Sequence, residues 1–211
     1  MVLFKYIEYL NSIKLVLGTS SAPRRKIFTD LGINFEVIAS NFEENLEKTD
    51  PQTYVTNTCL KKFEEIIENN KEKNFDLLIT CDTIVVYNNK ILEKPQTEEE
   101  IFKWFRDYSN NYVTCFTSVV IGLIRKNTEN LNSVKDKIQF LTESKVYFDE
   151  MDDDLIQNYI DTKEPFNKAG GFGVQGMGSV LIKRIEGCYY NIVGFPVNNF
   201  FKNLKILIDR Q

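Results

Sequence analysis

The chain of 211 residues contains no histidine. This absence excludes a Ser-His-Asp triad, a Cys-His pair, a zinc site with histidine ligands and a histidine general base. If the protein is an enzyme that moves protons, its general base is an aspartate, glutamate, lysine, tyrosine or cysteine.

Cysteine is also scarce, and no two of the four form a C-x-x-C pair: Cys59, Cys81, Cys115 and Cys188. Each lies among apolar or strand-like neighbours, so we expect reduced core residues of a cytoplasmic protein. Cys81 adjoins Asp82, but no basic activator adjoins it, which argues against a nucleophilic thiolate.

Long hydrophobic runs and an excess of positive charge are missing as well. Residues 1–13 are too short and too charged for a signal peptide or a membrane span, and we expect a short N-terminal extension there. The formal net charge of -4 argues against a surface for polymeric nucleic acid or for an anionic membrane. A local basic pocket for one small anion remains compatible with it.

A predicted strand over residues 77–86 carries the most informative residue, Asp82. The run is short, apolar and β-branched, and a carboxylate inside it costs several kcal/mol unless it is compensated. One interpretation is a structural aspartate that caps a turn or pairs with a core lysine. The other is a carboxylate at the edge of a cleft that binds a metal or activates water.

A second candidate site follows the first predicted strand. Residues 18–21 form a turn of small residues, and Pro23 marks the start of a helix that carries Arg24 and Arg25 in its first turn. Arginine opposes the helix dipole there, and a bound phosphate would resolve the mismatch. The alternative is an ordinary helix with two solvated arginines.

Two lysines lie in positions that suggest a role. Lys62 interrupts an apolar stripe on the helix predicted over residues 53–69, so it either reaches the rim or points at a negative group such as Asp82. Lys94 lies in a short link between a predicted strand and a helix capped by Thr97.

The second half of the chain is richer in strands. We predict strands over residues 112–124, 139–147, 179–185 and 189–193, a mobile loop over 125–137, and a last amphipathic helix from about residue 197. The G-x-G-x-x-G at Gly171, Gly173 and Gly176 lacks the strand and helix of a dinucleotide site, so it predicts a loop that lets the backbone approach a ligand. The order of elements predicts one α/β domain over residues 1–211, with an elongated mixed β-sheet, flanking helices and two lobes around a deep cleft.

Four motifs in order resemble the Maf family of nucleoside triphosphate pyrophosphatases, from about Lys14 to Leu207. They are the small-residue-Pro-Arg-Arg loop at residues 19–25, the Asp-Thr strand at 81–85, the Lys-Pro link at 92–95 and the glycine loop at 164–176. The resemblance implies a fold similar to that of inosine triphosphatases, commonly dimeric, so a homodimer is expected.

The resemblance also implies a reaction and residue roles. A nucleoside triphosphate and water give the monophosphate and diphosphate with a divalent metal, Mg²⁺ or Mn²⁺. Asp82 is the implied general base and, with Glu44, a metal ligand. The implied phosphate-binding residues are Ser20, Ser21, Arg24, Arg25, Lys62 and Lys94.

Base specificity is assigned by the resemblance to Arg24, Thr83 and Gln175. Thr83 and Gln175 match family members that act on dTTP and UTP, whereas a sister group that favours 7-methyl-GTP carries Gln and Glu there. Two alternatives stay open: the same chemistry on 7-methyl-GTP or another non-standard purine nucleotide, and a non-catalytic nucleotide-binding regulator.

Several positions depart from the family pattern. Ala22 replaces a serine, Asn167 replaces a frequent aspartate, a histidine often found near Val113 is absent, and Ser118 replaces a common glycine. The segment 125–137 is an insertion. None of these departures involves Asp82, Lys62 or Lys94.

Overall fold

The structure is a computed structural model that describes residues 4–43, 46–48, 50–129 and 131–211. Its helices are α1 (Phe4–Ser12), α2 (Ala22–Asp30), α3 (Pro51–Asn69), α4 (Glu98–Tyr108), α5 (Asp153–Asp161), α6 (Tyr189–Val193) and α7 (Val197–Asp209). Its strands are β1 (Leu15–Gly18), β2 (Glu36–Val37), β3 (Leu77–Tyr87), β4 (Lys90–Leu92), β5 (Tyr112–Lys126), β6 (Asn132–Phe148) and β7 (Ile182–Glu186). Short 3-10 turns cover Glu164–Asn167, Ala169–Gly171 and Met177–Leu181.

These strands form one mixed sheet in the order β2-β1-β3-β5-β6-β7, with β4 paired to β3. β1 runs parallel to β2 and β3, whereas β3–β4, β3–β5, β5–β6 and β6–β7 are antiparallel. The predicted α/β class with a mixed sheet and flanking helices is confirmed. No helix among the described residues is long and apolar enough to cross a bilayer.

β1 and β4 pair with the same edge of β3, but a gap separates the two stretches that they cover. β1 pairs with β3 as far as Gly18 opposite Thr80, and β4 begins to pair at Val85 opposite Leu92. The residues between these contacts therefore have a strand partner only on the β5 side, where Asp82 faces Ser118. Because the sheet is open here, consecutive side chains of β3 can reach one cavity although they point to opposite faces.

The apolar core divides along β3 at the same place. Leu77, Ile79 and Cys81 belong to a cluster built with α1, α2 and α7, whereas Val85 belongs to a cluster built with α4 and α5. On the other face, Leu78 packs with Cys59 and Phe63 of α3, and Ile84 and Val86 pack with Tyr54 and Val55. Asp82 and Thr83 lie in the interval between these clusters.

The predicted strand over residues 189–193 is wrong, because this segment is the short helix α6. Gly194 ends the helix with φ +114° and donates its N–H to the carbonyls of Tyr190 and Asn191. The buried Asn191 side chain donates to Cys115 O and Ser144 Oγ and so holds the turn against the sheet. These tertiary contacts override the β-propensity of Ile192 and Val193.

The predicted loop over residues 125–137 is shorter than expected. β5 continues to Lys126 and β6 begins at Asn132, so only residues 127–131 lie between the strands. Lys126 Nζ and Asn132 Nδ2 donate to backbone carbonyls at the end of α3 and in the following turn, including Lys73 O. Polar composition misled the prediction, because these polar side chains anchor the hairpin.

Three further boundaries differ from the predictions. Tyr6 and Leu10 of α1 are buried in the main core, so residues 4–12 of the predicted extension belong to the folded domain. The β-branched and aromatic run at residues 34–39 predicts a strand, but only Glu36–Val37 pair, as β2. The strand predicted from residue 179 begins at Ile182 after a 3-10 turn.

Candidate active site

A cavity of about 890 Å³ opens at the gap in the sheet. Its walls come from the β1–α2 loop, the middle of β3, the β4–α4 link, the glycine loop and the end of α6. Of the predicted site residues, it is lined by Ser20, Ser21, Arg24, Lys62, Asp82, Thr83, Lys94 and Gln175. The fold thus brings together side chains that lie more than 150 positions apart in the sequence (Ser20 to Gln175).

Of the other predicted site residues, one lies outside this set and one lies outside the described residues. Arg25 is exposed on α2 and lies outside the described lining of the cavity. Its neighbour Arg24 points inward, because adjacent side chains on a helix diverge by about 100°. Glu44 lies outside the described residues, so its predicted place as a metal ligand stays a prediction.

Asp82 is paired with Lys62, which extends from α3. Lys62 Nζ lies 2.6 Å from Asp82 Oδ1, and the two side chains are 15% and 8% exposed. A charge-assisted contact of this kind offsets part of the cost of burying both groups. The lysine partner that the structural interpretation predicts is therefore present, and Asp82 also lines an open cavity, as the second interpretation requires.

Arg24 connects three parts of the fold through its guanidinium group. Nε donates to Gly194 O at 2.9 Å, Nη1 to Cys81 O at 3.1 Å, and Nη2 to Thr83 Oγ1 at 2.9 Å. Nη1 also donates to Thr19 Oγ1 at 3.4 Å. These acceptors are neutral, so the positive charge of Arg24 still acts on the cavity while its position is fixed.

Thr83 continues this network into the sheet. Its Oγ1 lies 2.9 Å from Thr117 Oγ1, and Thr117 Oγ1 donates to Asn191 O at 3.0 Å. Gly194 leaves this corner open, because a Cβ atom there would lie 3.2 Å from Arg24 Nε and 3.6 Å from Thr83 Oγ1.

The glycine loop closes around a carboxylate of the same chain. Glu164 accepts hydrogen bonds from the backbone N–H groups of Met177 at 2.9 Å and Gly178 at 3.3 Å. It also accepts from Tyr159 Oη–H at 3.2 Å, and Tyr159 Oη accepts from Gly173 N–H. Burial raises the pKa of Tyr159, so this phenol stays protonated and can donate.

The spacing of the loop glycines follows from this arrangement. A Cβ atom at Gly173 or Gly176 would lie 2.8 Å from a Glu164 carboxylate oxygen, and one at Gly178 would lie 2.6 Å from Gly173 O. Glu164 begins the glycine-loop motif, but the motif assigns it no role, and no sequence pattern indicates a role for Tyr159. An acid placed shortly before a run of spaced glycines was the available signal.

The lining of the cavity is positive although the chain is acidic. In the described part of the lining, four cationic side chains face two carboxylates: Arg24, Lys62, Lys94 and Lys168 against Asp82 and Glu93. Glu93 also has a partner, since its Oε1 lies 2.6 Å from Lys48 Nζ. The prediction missed Lys168, which stands beside Asn167 in the motif. A cavity with this balance attracts a small polyanion.

The three buried cysteines, Cys59, Cys81 and Cys115, offer no nucleophile. Burial raises the pKa of Cys59 and of Cys115 to about 12 and also raises the pKa of Cys81, which lines the cavity. A thiolate is the reactive form, and these environments disfavour it.

The donor set for a metal consists of oxygen atoms. Within the residues that the structure describes, no group of three His, Cys, Asp or Glu side chains converges on one point. A closed structural site is therefore not formed by these residues. Mg²⁺ characteristically takes one or two carboxylates and completes its shell with water and substrate phosphates. Asp82 at the cavity wall fits that second arrangement.

Comparison with known proteins places these features in a family. A family model described as Maf-like protein matches residues 14–207. A dTTP/UTP pyrophosphatase of Fusobacterium nucleatum is 38% identical over 191 residues, which span 90% of this chain and 94% of that protein. One from Thermoanaerobacter sp. is 35% identical over 197 residues, spanning 93% and 98%. A probable bifunctional dTTP/UTP pyrophosphatase/methyltransferase protein of Homo sapiens is 33% identical over 210 residues, spanning 97% of this chain and 34% of that protein.

Proposed function

Because this chain belongs to the Maf-like protein family, we propose that it hydrolyses nucleoside triphosphates, with dTTP and UTP as substrates, to the monophosphate and diphosphate. The names of its relatives in Fusobacterium nucleatum and Thermoanaerobacter sp. support this substrate choice. The observation that carries the proposal is the Asp82–Lys62 pair in a cavity lined by further cations.

Asp82 acts as the general base in this proposal. Its carboxylate takes a proton from the attacking water while the α–β phosphoanhydride bond breaks, and the diphosphate leaves with the bonding electrons. Lys62, at 2.6 Å, orients the carboxylate and places positive charge next to the reacting phosphates. Hydrolysis of this bond needs charge neutralisation and a positioned water more than covalent catalysis.

The triphosphate is held by the cations and hydroxyls of the cavity wall. Lys94 supplies a point charge from the β4–α4 link, and Ser20 and Ser21 supply hydroxyls from the β1–α2 loop. We add Lys168 to this set because it lines the same cavity. Arg25 is left out of direct contact, since it faces solvent on α2.

A divalent cation, Mg²⁺ or Mn²⁺, fits the oxygen donors. Asp82 would hold it together with substrate phosphate oxygens, and Glu44 remains the predicted second carboxylate. The bound cation would neutralise charge on the phosphates as the bond breaks.

Base selection falls to the corner formed by Arg24 and Thr83 and to Gln175 on the glycine loop. The first alternative is the same chemistry on 7-methyl-GTP or another non-standard purine nucleotide, and the second alternative is a regulator that binds nucleotide without turnover.

The proposed form of the protein is a cytoplasmic homodimer. Light scattering would detect the dimer as twice the 24.6 kDa chain mass.

An assay of diphosphate release tests it directly. The protein is incubated with Mg²⁺ or Mn²⁺ and a panel of canonical and modified triphosphates, and inorganic pyrophosphatase converts released diphosphate to phosphate for malachite-green detection. We expect turnover of dTTP and UTP that EDTA abolishes. A preference for 7-methyl-GTP or ITP would overturn the substrate assignment, and tight nucleotide binding without turnover would favour the regulator.

A further inference from the structure

The hydrogen bonds around Thr83 have a fixed direction. Thr117 Oγ1 is completely buried and contacts the backbone oxygen of Asn191, which can only accept. A hydroxyl group has one hydrogen, so Thr117 uses its hydrogen on Asn191 O. The 2.9 Å contact between Thr83 and Thr117 must therefore be donated by Thr83.

This direction decides what Thr83 offers to a ligand. Its hydrogen is engaged by Thr117, and one of its two acceptor positions takes the N–H of Arg24 Nη2 at 2.9 Å. Only an acceptor position remains on the hydroxyl. Arg24 Nη2 carries a second N–H, and in the described part of the chain Thr83 is the one recorded acceptor for this nitrogen.

The corner thus presents an acceptor and a donor side by side. Gly194 has no side chain to cover them, and a Cβ atom there would lie within 3.6 Å of Thr83 Oγ1. Thr83 and Gly194 both line the cavity, so a bound base can approach this pair.

Base selection by Arg24 and Thr83 is already part of the proposed function, and we propose in addition that Thr117 is a positioning residue: it sets the polarity of this acceptor–donor pair so that the pair selects an imide edge. The N3–H and O4 of uracil or thymine complement Thr83 Oγ1 and Arg24 Nη2. Cytosine presents an N3 acceptor and an N4 donor, which oppose both groups. The inference deepens the proposed function, on which it rests, and gives the preference for dTTP and UTP over CTP a physical cause.

The test is the ratio of kcat/KM for UTP to that for CTP. We expect a ratio of about a hundredfold in the natural protein, because two mismatched polar contacts are left unpaired with cytosine. In Thr117→Val the Thr83 hydroxyl loses its acceptor and can turn its hydrogen toward cytosine N3. One of two mismatches is then relieved, and the ratio falls about tenfold.

Thr114→Val is the matched control, since Thr114 lies on the same strand and lines no described part of the cavity. It should leave the ratio unchanged. An equal loss of UTP and CTP turnover in Thr117→Val would mean a purely structural role and would overturn the inference. The Thr117→Ser and Thr117→Ala pair repeats the test if valine prevents folding, because the two differ only in the hydroxyl. Serine should keep the ratio and alanine should lower it.

Equilibrium binding separates this inference from the proposed function. Calorimetry with UMP and CMP measures base selection without turnover. If UTP is not hydrolysed but UMP binds more tightly than CMP and Thr117→Val reduces the difference, the enzymatic proposal fails and the selection inference stands. If UTP is hydrolysed and Thr117→Val leaves the ratio of UMP to CMP affinity unchanged, the enzymatic proposal stands and the selection inference fails.

Discussion

Adjacent arginines in α2 have different environments. Arg24 donates to backbone and hydroxyl oxygens from α6, β3 and the β1–α2 loop, whereas Arg25 is exposed. The family motif treats the two as a pair, but the geometry gives them separate roles. We therefore expect Arg24 to hold the cavity wall in place and Arg25 to contribute charge at a distance.

Replacing each arginine by lysine tests this difference. Arg24→Lys keeps the charge but cannot reach three acceptors, so we expect a loss of about 1–3 kcal/mol in the free energy of unfolding and a raised KM for UTP. Arg25→Lys should change neither by a measurable amount. Urea denaturation and steady-state kinetics measure both, and an equal effect of the two changes would contradict the assignment.

The buried cysteines give a second residue-scale prediction. Burial raises the pKa of Cys59 and Cys115 to about 12, so their thiolate fraction stays negligible between pH 7 and 9. Labelling of the folded protein with a thiol reagent should therefore modify at most the partly exposed Cys188 over this range, and all four thiols after denaturation. Rapid labelling of Cys81 in the folded state would mean that the cavity activates this thiol.

At the scale of elements, the glycine loop acquires its shape from Glu164 and Tyr159 rather than from a bound phosphate. The backbone N–H groups of Met177 and Gly178 point at the Glu164 carboxylate, and the same loop carries Gln175 to the cavity. An internal anion thus occupies the position that a weak nucleotide fingerprint would assign to a ligand.

Gly176→Ala should deform this loop. Gly176 has φ +124°, and a Cβ atom would lie 2.8 Å from Glu164 Oε2. The backbone strain and the steric clash therefore both destabilise the variant. We expect a loss of about 2–4 kcal/mol in the free energy of unfolding, and a raised KM for UTP because Gln175 shifts.

Gly32→Ala is its control, because Gly32 has φ +68° with no atom within 4 Å of the added Cβ. It should show only the backbone strain of about 1 kcal/mol and an unchanged KM. A KM for Gly176→Ala equal to that of Gly32→Ala would remove the loop from substrate binding.

The elements that sequence reasoning found share a local cause. The β-branched run predicts the strand around Asp82, and the Thr97 cap, which accepts from Glu100 N–H, predicts α4. Each of these sequence patterns lies within a few residues of the element that it predicts. α6 is not predicted because contacts of Asn191 with distant strands fix it. The extension of β5 and β6 into residues 125–137 is not predicted because the side chains that anchor it bind the backbone after α3.

The same limit applies to the site. Lys62 was connected to Asp82 from helical spacing and the cost of an uncompensated charge, and the two are in contact. The Arg24–Thr83–Thr117–Asn191 network joins four segments, and no local pattern encodes it. Likewise, the motif could not distinguish Arg24 from Arg25, since only packing decides which one faces the cavity.

At the scale of the whole molecule, the cavity exists because β1 and β4 take different stretches of one edge of β3. The core divides at the same point, and Asp82 and Thr83 line the cavity between the two apolar halves of the central strand. A carboxylate and a hydroxyl are thereby held on a rigid strand that is buried at both ends, which suits a site that must position water and substrate accurately.

The most direct measurement is diphosphate release from UTP by Asp82→Asn, compared with the natural protein and with Asp30→Asn on the exposed face of α2. Asparagine keeps the shape but cannot take the proton, so we predict a fall of at least about 10²–10⁴-fold in kcat for Asp82→Asn. Circular dichroism should show a folded protein, and Asp30→Asn should retain full activity. Near-normal turnover in a folded Asp82→Asn protein would contradict the role of Asp82 as general base.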